Sequence, residues 1–214
     1  METITPSSLA GELIAAAPAL NEREQHLAIS LYRLLAEGDP VDTTVLADRT
    51  DMDRGEVERS IAGWGGVFAD EQARVIGFLG LSIRPMPHRL TVAGRTLYAW
   101  CAFDTLFLPE LLGATAEVES RCPTTGEPIT LTVSGTEVSN LRPAATVLSY
   151  LHKDEPLDQH VINTFCHFVH FFANPAAADE WTAEHSGTFT IQLADGSEIA
   201  RLVNRGRYPS IFSD

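Results

Sequence analysis

The chain has 214 residues, 44% of them hydrophobic, enough for one large domain or two small ones around a sizeable core. Its 29 acidic and 15 basic side chains leave a net charge of −14, and so acidic a surface argues against general binding to nucleic-acid backbones or anionic membranes. No apolar run is long enough to span a bilayer, and the opening METITPSSLAGELIAAAPAL has no basic start and carries Glu2 and Glu12, so a cytoplasmic location is expected.

In chain order, the first third reads as three helices and a ribbon. Asn21 precedes EREQHLAISLYRLLAEG with Glu24 three residues on, a capping-box pattern, and Leu27, Leu31, Leu34 and Leu35 form its apolar stripe. Gly38 and Pro40 stop that helix, Asp42 opens a short one over TTVLADRT, and Asp53 with Glu56 opens a third over RGEVERSIAGW. VFADEQARVIGFLGLSI then alternates around a turn, as a β-ribbon does. Helix, short helix, helix and ribbon make a winged-helix pattern. The third helix sets Glu56 and Glu58 against Arg54 and Arg59, so it lacks the basic surplus of a DNA-reading helix.

The Pro-rich RPMPH at 84–88 marks a boundary between a module over 1–83 and a core over 84–214. RLTVAGRTLYAW reads as strand with a turn at Gly94, and LYAWCAFDTLFLPELLG, residues 97–113, as an apolar helical segment. Two strands come next, joined by a turn at Pro123–Gly126, and VSNLRPAATVLSYL mixes strand and turn signals. VINTFCHFVHFF, residues 161–172, is aromatic and β-branched and reads as a strand. Asn174 and Pro175 open a helix that ends before Gly187, and Asp195–Gly196 gives a hairpin signal in the tail, although the residues after it also suit a helix. The expected fold class is α+β: an N-terminal winged-helix-like three-helix module, then a mixed α/β core with antiparallel strands.

The chemistry-bearing residues are few. Cys101, Cys122 and Cys166 are too few and too widely spaced for a disulfide framework, so all three are expected as thiols. Were 97–113 one helix, Cys101 and Asp104 would share a face. They read either as a small buried hydrophobe beside a helix cap, or as a thiol with a carboxylate placed for use. In a strand over 161–172, Cys166, Phe168, His170 and Phe172 would share one face, which suits core packing as well as ligation. His167 and His170 are candidates for metal ligation or proton transfer, or are histidines hydrogen-bonded at the core edge. Cys122, alone before Pro123, cannot form a zinc knuckle and reads as structural. There is no Gly-rich phosphate loop, GxSxG or HExxH, so the nucleotide-binding, serine-hydrolase and zinc-protease classes have no support.

The blocks LYAWCAFDTLFLPELLG, CPTTGEPITLTVS and TFCHFVHFFA, with EWTAEH after them, resemble organomercurial lyase (alkylmercury lyase) in order and spacing over roughly residues 75–187. The resemblance implies a lyase catalytic core that cleaves a carbon–mercury bond and places a proton on carbon. It carries over Cys101, Asp104 and Cys166 as the catalytic and mercury-binding set, and Cys122 as a buried structural cysteine. It implies no organic cofactor or resident metal, an organomercury substrate, and small thiols or a mercuric reductase as acceptors of Hg²⁺. One departure is His167, where members of the family often have a second cysteine. The same features support two competing readings: a winged-helix, thiol-based metal-sensing regulator, and a lyase-like protein that binds metal without turnover. A sensor would dimerise on a palindromic operator, but the sequence shows no strong dimer helix, so a monomer is expected.

Overall fold

The computed structural model describes residues 4–152, Pro156, Asp158 and residues 160–212; Glu2 lies outside them. Four helices open the chain rather than three. Helix α1 (Pro6–Ala16) precedes the expected ones, with Thr5 and Ser8 forming a reciprocal cap and Pro6 at its first turn. It buries Leu9, Ala10 and Leu13 against the last helix of the chain. Helix α2 (Glu22–Leu35) has the expected box: the Asn21 side chain accepts from the Glu24 amide, and the Glu24 carboxylate accepts from the Asn21 amide. Asp42 and Asp53 cap α3 (Thr43–Thr50) and α4 (Arg54–Gly63), their carboxylates accepting from the Thr44 and Glu56 amides.

The ribbon is β1 (Val67–Ala69) and β2 (Val75–Phe78), followed by β3 (Leu81–Ser82). It does not stand apart. An antiparallel eight-stranded sheet runs in the order β1-β2-β3-β5-β4-β6-β7-β8, where β4 is His88–Val92, β5 Arg95–Ala99, β6 Ala116–Arg121, β7 Pro128–Ser134 and β8 Glu137–Arg142. Strand β3 joins β2 to β5 through the pairs Phe78↔Leu81 and Leu81↔Ala99, so hydrogen bonding is continuous across residue 83.

Helix α5 (Asp104–Leu112) lies between β5 and β6 in the chain, and β9 (Val147–Leu151) begins a second sheet. After it come α6 (Val161–Thr164), a single 3₁₀ turn (Cys166–Phe168), β10 (Phe171–Phe172), α7 (Pro175–Glu184), β11 (Thr188–Gln192) and α8 (Leu193–Arg207). The second sheet has the order β10-β9-β11, and α8 packs against both α1 and α5. No helix among the described residues is long and apolar enough to cross a membrane.

Three local expectations are corrected. Residues 97–99 are strand, not helix, because the two-residue turn at Ala93 and Gly94, both at positive φ, folds them onto β4 with Leu97 opposite Leu90. Residues 161–172 are not one strand: Val161, Phe165 and Val169 are buried at a spacing of four, so packing takes the helical period over the β-branched composition. The shared face of alternate residues from Cys166 to Phe172 therefore does not exist. Asp195–Gly196 makes no hairpin. It lies inside α8, where a Cβ on Gly196 would come within 2.9 Å of Leu106 Cδ1, so the glycine serves close helix approach.

Candidate active site

Strand β5 ends at Ala99, and the chain then turns through Trp100–Phe103 into α5. The turn is fixed from both sides. The Trp100 amide donates to the Gly80 carbonyl at 3.0 Å, and the Ala102 amide donates to the Val169 carbonyl at 3.1 Å. The second bond carries the 3₁₀ turn of Cys166 to the turn of Cys101. Ser149 on β9 holds that turn as well: its hydroxyl donates to the Phe168 carbonyl at 2.8 Å and accepts from the His170 amide at 2.9 Å. Two thiols 65 residues apart in sequence thus meet through backbone hydrogen bonds made by their neighbours.

Asp104 is the first residue of α5, and its Oδ2 accepts from the Cys101 amide at 2.7 Å. One ligand atom from each of Cys101, Asp104 and Cys166 lies within 4.8 Å of those of the other two, and all three residues are buried. Cys101 and Asp104 are therefore neighbours across a turn rather than on one helix face. Among the described residues, this is the cluster able to share one ion. His167 and His170 are not in it: His170 Nε2 is 2.7 Å from the His167 carbonyl and its ring packs edge-on to Trp181. Cys122 is buried in the β6–β7 turn, where burial pushes its thiol up, while hydrogen bonds from Thr125 and from the amides of Ala173, Thr125 and Thr124 outweigh this and leave it lowered.

Burial sets the electrostatics of the cluster. It pushes the Asp104 carboxyl up to about 7, against the hydrogen bonds from the Cys101 thiol and amide, which lower it. It pushes the Cys101 thiol well up, reinforced by Cys166 and by the Asp104 charge. For Cys166 the largest influence is its hydrogen bond with Cys101, which lowers it, but burial and the Asp104 charge leave it raised. Near neutral pH the site is thus two thiols beside a carboxyl poised between its charged and neutral forms.

The cavity above the cluster is walled by Trp100, Phe103, Phe107, Val161 and Phe165, with Asp104, Cys166 and Arg207 as its polar members. Gly80 forms part of the wall, and a Cβ there would come within 2.7 Å of Asp104 Oδ1. Its φ of +100°, next to Leu79 at +31°, lets the β2–β3 turn press backbone against the carboxylate. The Tyr32 hydroxyl of α2 donates to the Leu79 carbonyl at 2.9 Å and holds that turn. The sequence signals neither this turn nor Arg207: a glycine in a ribbon and an arginine near the end of a helix carry no mark of a cavity built by distant segments.

The family model for alkylmercury lyase matches residues 81–204, and that for the helix-turn-helix domain of alkylmercury lyase matches residues 8–79. An alkylmercury lyase of Staphylococcus epidermidis is 40% identical over 171 residues, 80% of this chain and 78% of that protein. One of Pseudomonas putida is 40% identical over 177 residues, 83% of this chain and 82% of that protein. The crystal structure of the mercury-bound form of MerB2 superposes with a TM-score of 0.76 at 25% identity, over 94% of this chain and 98% of that one. With two thiols and an aspartate converging in the matched region, the chain belongs to the alkylmercury lyase family.

Proposed function

We propose that this lyase cleaves R–Hg–X through Cys101, Asp104 and Cys166, where R is the organic group and X the thiolate that accompanies mercury into the cell. The observation that carries the reading is the convergence of two buried sulfurs and one carboxylate on a single point, with the carboxyl held up to about 7.

Mercury is soft, and thiolate is the soft ligand a protein can offer. Both thiols are protonated at rest, so each must lose its proton as the metal arrives. Cys101 displaces X, and its proton leaves with X as the free thiol. Cys166 then binds the same mercury and gives its proton to the ionised Asp104. Two sulfur ligands push electron density onto the metal and weaken its bond to carbon. Asp104 delivers the proton to that carbon, the carbon–mercury bond breaks, and R–H departs. The balance is R–Hg–X plus two thiols giving R–H, HX and Hg²⁺ held by two thiolates, with Asp104 within reach as a third ligand. Small thiols, or the cysteines of a mercuric reductase, take the metal away, and the setting is the cytoplasm.

Helix α4 supports this over a DNA-bound sensor. Arg54 is paired with Glu58 at 2.7 Å, and Glu56 lies 3.4 Å from Arg23, so the helix offers phosphate no free run of cations. The test is to incubate the protein with phenylmercury and excess thiol and measure benzene. Release well above a Cys101→Ser control is expected; release equal to the control ends the lyase reading.

A further inference from the structure

Arg207 is the last residue of α8 and lines the mercury cavity together with Asp104 and Cys166. The other two arginines of this helix face acids: Arg201 chelates Glu198, and Arg205 pairs with Glu110 at 3.2 Å. Arg207 does not. Its Nε and Nη2 are buried and have no hydrogen-bond partner among the described residues. Its guanidinium sits over the Tyr208 ring, 5.3 Å from the centroid, which fixes its plane.

Buried guanidinium N–H groups without an acceptor are strongly unfavourable, so the missing partner is the informative part of the site. Nε and Nη2 form one edge of the guanidinium, the edge that takes the two oxygens of a carboxylate side by side. The same molecule shows that geometry: Arg201 Nε donates to one Glu198 oxygen at 2.9 Å and Nη2 to the other at 2.6 Å. At Arg207 the same edge is buried and without a partner among the described residues, on a side chain that borders a cavity whose walls are aromatic and aliphatic. No carboxylate of the described protein occupies it. Asp104, which shares the cavity, is instead bonded to the Cys101 amide.

We propose that the Nε–Nη2 edge of Arg207 is a carboxylate seat in the mercury cavity, taking a carboxylate borne by one of the two groups on mercury, the organic group or the displaced thiolate. The inference rests on the lyase reading, because it takes the cavity as the place where R–Hg–X is held. Arg207 is a specificity-determining residue here: it contacts the carried group and leaves proton transfer to Asp104.

The test measures kcat/KM for the unsubstituted protein, Arg207→Gln and Arg207→Lys in two arms. The first compares 4-carboxyphenylmercury with phenylmercury, both supplied with mercaptoethanol. The second compares phenylmercury supplied with 3-mercaptopropionate against phenylmercury supplied with mercaptoethanol. In Arg207→Gln the ratio of carboxylate-bearing to neutral form should fall about tenfold or more, the scale of a charge-assisted hydrogen bond. A fall in the first arm places the carboxylate on the organic group, and a fall in the second places it on the thiolate. Arg207→Lys, which keeps the charge and loses the fork, should recover only part of the ratio. Ratios within about twofold of the parent in both arms overturn the seat. Should Arg207→Gln fail to fold, the unsubstituted protein decides: each methyl ester should be about tenfold poorer than its acid in the responding arm, and equal values in both arms overturn the proposal. Absence of benzene from phenylmercury with the unsubstituted protein ends the lyase reading instead, so the two failures are distinct.

Discussion

Asp104 is 6% exposed and forms no ion pair among the described residues; what it has is the Cys101 amide and two sulfurs. That environment makes its proton a stability term. An unperturbed aspartate titrates at 3.8, and this one is raised to about 7. Between those values the folded state holds a proton that the unfolded chain has released, so stability falls as pH rises through the window, and the contribution is fully present only below it. Asp104→Asn removes the titration and keeps the shape. Its stability relative to the parent should therefore rise by at least about 1 kcal/mol between pH 5 and pH 8 in matched denaturant titrations. A constant offset across that range contradicts the raised carboxyl. At this scale the sequence was informative where residue types are rare: three thiols, and Asp104 in an apolar block, could be weighed one by one, and resemblance implied their roles. Arg207 and Gly80 were not legible, because their importance lies in what they face.

The elements that position the site are turns. Cys101 lies in one, Cys166 in another, and Gly80 in a third, and the three are stitched together by the Trp100, Ala102 and Val169 backbone. Turn conformations of this kind depend on long-range partners, so the 161–172 segment, with its strand-like composition, could not be placed from its own residues. Capped helices were legible because their signals are local: Asn21, Asp42, Asp53 and Asn174 each bond a backbone amide two or three residues on. The missed helix α1 had such a signal in Thr5 and Ser8. The β2–β3 turn gives the test at this scale. Gly80→Ala sets a methyl against Asp104 Oδ1 at a φ of +100°, with Asp104 and the Tyr32-anchored Leu79 leaving it no room. Stability should fall by about 1–3 kcal/mol. Displacement of the carboxylate should lower benzene release about tenfold or more, measured on protein shown to be folded. Parent-like turnover would mean that the turn does not position Asp104.

At the scale of the whole molecule, the amino-terminal module is built into the catalytic fold. Its ribbon continues the main sheet, Tyr32 of α2 anchors the turn beside Asp104, and α1 packs on the helix that carries Arg207. A fragment of residues 84–214 loses α1 to α4 and β1 to β3, and with them the packing of α2 on α5 and the pairing of β3 with β5. It should show no cooperative thermal unfolding by circular dichroism; a sharp transition would make the core independent. The succession of helices followed by antiparallel strands was legible because the periodicity of the apolar residues changes along the chain. The continuity of the sheet was not, since β3 is two residues long and is recruited by pairing on both sides. The proposed chemistry turns on one carboxyl that takes the proton of Cys166 and delivers it to carbon. A single-turnover experiment with Asp104→Asn and phenylmercury addresses it most directly. The variant should retain phenylmercury on sulfur, visible by intact mass, and release benzene at least about a hundredfold more slowly than the parent. Benzene at the parental rate would contradict the role given to Asp104.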